Sequence, residues 1–146
     1  MQAKDVMTTN VISVTDDTTI RDACLLLLEN GITGMPVVNA DGRLAGLISE
    51  FGLLEALYNP RILNDPIRTY MTRDVMTVDE NEPLSHVATL FLLHRIRRLP
   101  VVRNADANGR IVGIISRRDL LRTVVSSNEP LTCPPTSSPV CEPAIL

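Results

Sequence analysis

The chain repeats itself, and this constrains its fold more than any other feature. Shifted by 64 residues, Met7-Thr8 falls on Met71-Thr72, Val11 on Val75, Val14 on Val78, Leu28 on Leu92, Ile32 on Ile96, and Pro36-Val37-Val38 on Pro100-Val101-Val102. Three extra residues then change the shift to 67, and Gly42-Arg43 meets Gly109-Arg110, Gly46 meets Gly113, Ile48-Ser49 meets Ile115-Ser116, and Leu53-Leu54 meets Leu120-Leu121. The insertion lies in a polar turn from Arg103 to Gly109, where added length is tolerated.

Each copy reads as β-α-β-β-α. A short strand comes first, Val11–Val14 or Val75–Val78. A helix follows, with apolar residues Ile20, Ala23, Cys24, Leu27 and Leu28 at helical spacing, and Leu84, Val87, Ala88, Phe91 and Leu92 at the matching sites. Thr18 suits its N-cap, Gly31 its C-cap, and Pro83 the first turn of the second copy. Two strands come next, Met35–Asn39 and Arg43–Ser49, joined by the turn composition Asn39-Ala40-Asp41-Gly42. Their counterparts are Leu99–Arg103 and Arg110–Ser116. A last helix starts after Ser49 or Ser116 and runs to Tyr58 or Val125. The expected fold is α/β (α+β), with residues 1–58 as the first repeat, 59–67 as a linker, 68–125 as the second repeat and 126–146 as a proline-rich tail. One copy of about 55 residues is marginal alone, so the two are expected to pack as a pseudo-twofold pair.

Composition removes several function classes. The chain has 146 residues and 17 acidic against 14 basic side chains, a balance unsuited to displacing counterions from nucleic acid. Apolar runs such as Leu25–Leu28 are too short for a membrane span, and Lys4 and Asp5 interrupt any leader, so a cytoplasmic location is expected. The three cysteines, Cys24, Cys133 and Cys141, do not make a disulfide framework. Trp is absent and the aromatics are Phe51, Tyr58, Tyr70 and Phe91, so an aliphatic core is expected and a site of stacked rings is not. His86 and His94 lie eight apart with no partner at metal-ligand spacing, so no metal site is expected. There is no Ser/His/Asp order, no glycine-rich phosphate loop and no recognisable pair of catalytic carboxylates; the chain does not read as an enzyme.

The ordered set of segments resembles the cystathionine β-synthase (CBS) domain family, as a stand-alone tandem pair or Bateman module. Val6-Met7-Thr8, Gly31-Ile32-Thr33-Gly34-Met35-Pro36-Val37-Val38 and Gly42-Arg43-Leu44-Ala45-Gly46-Leu47-Ile48-Ser49 carry the resemblance in the first copy. Tyr70-Met71-Thr72, Arg97-Arg98-Leu99-Pro100-Val101-Val102 and the run from Gly109 to Leu121 carry it in the second. The resemblance implies a regulatory module with no obligatory cofactor, whose inter-repeat clefts bind adenosine compounds such as AMP, ADP, ATP or S-adenosylmethionine. In the family pattern Gly-x-x-Ser/Thr-x-x-Asp, the Asp holds the ribose hydroxyls and the Ser/Thr assists with phosphate. That assigns Ser116 and Asp119, with Arg118 nearby, and an adenine pocket from Met7, Thr8, Ile12, Thr33, Gly34, Met35 and Pro36. The first copy departs from the pattern: Gly52 stands where the Asp is expected. A second cleft, with Ser49, Gly52, Met76, Ile96, Arg97 and Arg98, is therefore expected to be degraded, although its arginines suit an anion.

The residues themselves leave alternatives open. Ser116 ends a strand and opens a helix, where free N–H groups favour phosphate. A carboxylate is acceptor-only and matches a diol. Ser-x-x-Asp at that place also reads as a capping box, and the two roles are compatible. Met7, Met35, Met71 and Met76 suit adaptable walls or ordinary core, and Arg95, Arg97 and Arg98 suit phosphate or a solvated turn. Leu25–Leu28 and Leu90–Leu93 spread apolar surface around about 300° of a helix, more than one sheet covers, so a homodimer is expected. An effector protein of unknown identity is the other expected partner. The alternative is a ligand-free dimerisation or interaction module that recruits a partner through its surface or tail.

Overall fold

The structure, a computed structural model, describes residues 1–103 and 109–131. Each repeat builds one three-stranded sheet. In the first, β1 (Val14–Thr15), α2 (Ile20–Asn30), β2 (Gly34–Val38), β3 (Leu44–Ser49) and α3 (Glu50–Leu53) follow in order, after a leading helix α1 (Ala3–Val6). In the second, the order is β4 (Val78–Asp79), α4 (Leu84–His94), β5 (Arg98–Arg103), β6 (Arg110–Ser116) and α5 (Arg117–Ser127). The α/β class and the β-α-β-β-α order are those read from the sequence. Within each sheet the middle strand is the second: β1 lies parallel to β2 with Val14 beside Val37, and β4 parallel to β5 with Val78 beside Val101. The pairing of β2 with β3 is antiparallel, with Met35 opposite Ile48.

Several boundaries differ from the sequence reading. The first strands are two residues long, because Val14 and Thr15, or Val78 and Asp79, are the positions that find a parallel partner. The N-cap of α2 is Thr19, whose hydroxyl accepts from the Asp22 N–H at 3.2 Å, and not Thr18. Gly31 closes α2 in the left-handed region at φ 60°, where a side chain is strained. The last helix of the first repeat is one α-turn continued as a 3-10 turn, Leu54–Leu57, and Pro60 stops it soon after. Its counterpart α5 runs to Ser127 and ends on Asn128 in the left-handed region, so the residues after Val125 begin as helix. Cys133, Cys141 and the rest of the tail lie outside the described residues.

The chain forms two compact units, and they do not coincide with the repeats. One unit combines Met1–Asn10 with the chain from Met76 to β5 and from Val112 onward; the other holds Val11–Val75 and the stretch ending at Ile111. In the first unit, Ala3 from α1 is fully buried with Val78, Leu84, Val87, Phe91, Leu99, Val101 and Ile115. In the second, Val14, Ile20, Ala23, Leu27, Met35, Val37 and Ile48 form an aliphatic core with Ile62, Ile67 and Met71. The linker is thus part of a core: Ile62 and Ile67 sit in 3-10 turns Pro60–Asn64 and Ile67–Thr69, held by the Ile67 N–H donating to the Thr18 carbonyl at 2.8 Å.

Candidate functional site

Ser116 takes extended backbone at the end of β6, and the chain turns there into α5. The turn is fixed by a reciprocal cap. The Asp119 N–H donates to Ser116 Oγ at 3.4 Å, while Ser116 N and Ser116 Oγ both donate to Asp119 Oδ2, at 2.8 and 3.0 Å. The capping box is therefore formed. It holds the Asp119 carboxylate at 8% exposure, the one buried charged side chain among the described residues. Its other oxygen, Oδ1, accepts from Arg122 Nη1 at 3.3 Å, one turn along the helix.

The leading segment reaches the same place. Helix α1 packs against α5. The chain then leaves α1 at Met7 and bridges to β6, where Thr8 N donates to the Ile114 carbonyl at 2.9 Å and Ile114 N returns the bond at 3.0 Å. Met7 lies against Gly113, which carries no side chain to exclude it. The groove that results is a cavity of about 490 Å³. Asp119, Arg122, Thr123, Ser126 and Ser127 line it from α5, and Met1, Asp5, Val6, Met7 and Thr8 from the leading segment. The wall from the leading segment thus sets the apolar, polarisable side chains of Met1, Val6 and Met7 beside the polar Asp5 and Thr8. The other offers a carboxylate acceptor, a guanidinium and hydroxyls, a set suited to a ligand with both a flat apolar part and hydroxyl donors.

Met7, Thr8 and Asp119 of the expected site share this cavity, and Ser116 acts on it by fixing Asp119. Arg118 is exposed on the first turn of α5 and is not among the lining residues. Ile12, Thr33, Gly34, Met35 and Pro36 belong to the other unit. There Met35 and Met71 are side chains of the aliphatic core, and Gly34 and Pro36 are buried beside them in β2. Thr33 is exposed, and its carbonyl accepts from the Glu50 N–H at 2.9 Å.

In the first repeat Ser49 makes the same N-cap, accepting from the Gly52 N–H at 3.4 Å. No carboxylate answers it, because Gly52 occupies the Asp119 position. A Cβ on Gly52 would meet nothing closer than 3.7 Å, so neither crowding nor backbone angle demands glycine there. Met76 is 37% exposed, Ile96 is half-buried and Arg97 is exposed. The Arg117 guanidinium donates to the carbonyls of Ile96 and Arg95 at 2.9 and 2.8 Å, and Arg117 N donates to the Arg97 carbonyl, so this turn is tied to the start of α5. Arg98 opens β5.

Sequence reasoning missed Arg122, Thr123, Ser126 and Ser127. With Asp119 they recur at three- and four-residue intervals, a polar stripe on α5 that was there to be read. It missed α1 as well, since four residues carry no readable period. Among the described residues no group of three His, Cys, Asp or Glu could hold a metal ion, and no helix is long and apolar enough to cross a membrane.

The CBS domain family model matches residues 3–59 and again 67–126. An uncharacterized protein of Methanocaldococcus jannaschii, MJ1225, is 34% identical over 123 residues, which are 84% of this chain and 42% of that one. An uncharacterized 17.7 kDa protein of Acidianus ambivalens is 30% identical over 124 residues, 85% of this chain and 73% of the other. The chain thus spans less than half of the first relative. It also matches 22% of the length of an L-aspartate semialdehyde sulfurtransferase of M. jannaschii, at 32% identity over 82% of this chain. Among solved structures, the CBS domain pair of protein MJ0100 in complex with 5′-methylthioadenosine and S-adenosyl-L-methionine superposes with a TM-score of 0.73 at 30% identity, covering 86% of this chain and 96% of that one. CBSX2 in complex with AMP superposes with a TM-score of 0.78 at 29% identity, covering 88% and 98%.

Proposed function

This chain belongs to the CBS domain family as a tandem pair, and from that premise we propose that it is a regulatory module binding an adenosine nucleotide or derivative through Asp119. The observation that carries the reading is the meeting of Asp119, Met7 and Thr8 around one cavity. The complexes of MJ0100 with 5′-methylthioadenosine and S-adenosyl-L-methionine and of CBSX2 with AMP support the ligand class. In this reading Asp119 accepts the ribose hydroxyls, Ser116 positions it, Arg118 and the start of α5 favour a phosphate, and Met7 and Thr8 border the base. Ile12, Thr33, Gly34, Met35 and Pro36 stay assigned by family resemblance alone. Ser49, Gly52, Met76, Ile96, Arg97 and Arg98 likewise stay assigned to the degraded counterpart by family resemblance alone. The module does no chemistry of its own: ligand shifts its conformational balance and an effector protein reads the shift.

The test is titration of the full chain with AMP, ADP, ATP and S-adenosylmethionine. A ligand bound only by the folded state raises Tm with its concentration. Asp119→Asn, measured by calorimetry well below its own melting point so that the weakened cap does not interfere, should lose that binding. No response to any of the four overturns the reading.

The ligand-free alternative has one observation in its favour: both oxygens of Asp119 already have donors within the protein. It makes association the whole function. The surface for association is the exposed leucines, Leu25 and Leu28 on α2 at 47% and 79% exposure, and Leu92 and Leu93 on α4 at 65% and 50%. We propose that these faces join two copies under either reading, because unpartnered leucines on both helices are costly to leave in water.

A further inference from the structure

The proposed function asks Asp119 to accept two hydroxyls, yet its carboxylate is largely occupied. Oδ2 takes two donors from Ser116, which fills it. Oδ1 takes Arg122 Nη1 at 3.3 Å and keeps one acceptor site. A diol that needs both acceptor positions on the accessible oxygen must therefore displace Arg122. The cap is the harder contact to break, since it is intrahelical, short and part-buried, whereas the Arg122 side chain is 73% exposed. Arg122 is also the one cationic side chain among the residues lining the cavity. The other carboxylate there, Asp5, is engaged by the Gln2 N–H at 2.7 Å.

We infer that Arg122 is a specificity-determining residue of this site: it competes with the ligand's diol for Asp119 Oδ1 and, once displaced, pairs with an anionic group on the ligand. The inference rests on the adenosine reading above. Its consequence is that a neutral nucleoside must give up the Asp119–Arg122 pair without return, while a ligand carrying a phosphate recovers the interaction. Arg122 thereby selects for charged members of the adenosine class without contacting the base.

The experiment is calorimetric titration of adenosine and of AMP into the full chain as parent, Arg122→Met and Arg122→Lys. The Met variant keeps the aliphatic stem, and the exposure of the guanidinium means the fold is retained, which a thermal melt confirms. An exposed ion pair of this kind corresponds to about two- to fivefold in affinity. Arg122→Met should therefore bind adenosine about two- to fivefold tighter, while AMP gains nothing, so the preference for AMP falls by at least that factor. Arg122→Lys should keep the parent's preference. Adenosine binding that is unchanged or weaker in Arg122→Met, or an equal shift for both ligands, overturns the inference and leaves the adenosine reading standing. A parent that binds neither ligand overturns the inference, and the adenosine reading falls with it only if ADP, ATP and S-adenosylmethionine also fail to bind.

Discussion

Gly113 is where the leading segment, β6 and the cavity meet, and a single methyl group there tests their arrangement. A Cβ on Gly113 would lie 2.4 Å from Met7 Sδ, 2.7 Å from Met7 Cγ and 3.1 Å from Met7 Cβ. Its repeat counterpart, Gly46 in β3, presents a harder obstacle: the carbonyl oxygen of Thr72 at 2.7 Å, with Met71 Sδ at 2.9 Å. That carbonyl accepts from the Leu47 N–H at 2.9 Å, so it cannot retreat without breaking the bridge. A thioether can turn away and a bonded carbonyl cannot. Overpacking costs about 1–3 kcal/mol, and alanine recovers about 0.4–1 kcal/mol by stiffening the unfolded chain. We therefore expect Gly113→Ala to lose about 1–2 kcal/mol and Gly46→Ala about 3 kcal/mol or more. Urea unfolding reads both as shifts in midpoint at constant slope. In a Met7→Ala background the obstructing atoms beyond Cβ are gone, and Gly113→Ala should become close to neutral, a coupling of about 1–2 kcal/mol in the double-mutant cycle. If the two substitutions at Gly113 and Met7 simply add, or if Gly46→Ala is the milder of the two glycine changes, the packing described here is wrong.

Three further outcomes follow from single contacts. Thr19→Ala removes the α2 cap and should cost about 1 kcal/mol by urea midpoint, whereas Thr18→Ala should cost less than about 0.5 kcal/mol. Arg103 bonds Glu80 at 2.7 Å and holds its carboxyl below the ordinary carboxylate range, chiefly through that hydrogen bond. A depressed folded pKa contributes stability above the unfolded value and loses it as pH falls through the folded value, so the parent should lose stability on acidification below the ordinary Glu range more steeply than Arg103→Met. Leu28→Glu, at a position 79% exposed, should leave the melting temperature within a few degrees while shifting sedimentation from dimer to monomer; a parent that sediments as a monomer refutes the proposed leucine interface.

What could be read from residues alone followed the strength of the local signal. Two helices with five apolar positions each at helical spacing, and strands whose Pro-Val-Val and Gly-x-Ile-Ser segments recur in both repeats, with Asn39-Ala40-Asp41-Gly42 joining the first pair, were legible because periodicity and turn chemistry act over a few residues. Asp119 was legible as a cap, and the capping box is formed; the ribose-acceptor role that the family pattern assigns to it belongs to the proposal. Arg122 was not, since an arginine one turn into an exposed helix looks like solvated surface until the carboxylate beneath it is known to be buried. The linker misled for a related reason. Pro60 and Pro66 mark breaks in regular structure, but Ile62 and Ile67 between and beside them are fully or nearly buried, and isolated isoleucines in 3-10 turns show no period to detect. Met35 was open to two readings, adaptable wall or ordinary core, and its side chain is fully buried, opposite Ile48 in register.

The leading segment ties the cavity to the core of its own unit. The segment Met1–Asn10 belongs by sequence to the first repeat and by packing to the second, where Ala3 is core and Met7 both rests on Gly113 and lines the cavity. The corresponding segment of the second repeat, Tyr70-Met71-Thr72, packs instead with the first repeat, where Met71 is core beside Gly46. A cut made in the linker would therefore leave each half without a piece of its own core and give it a piece of the other's. It would also separate Met7 and Thr8 from Asp119. Completion of the core and completion of the cavity wall are thus one event in the unit that holds Asp119. Whatever loosens the α1–α5 packing must open the cavity, and whatever fills the cavity must hold the leading segment in place.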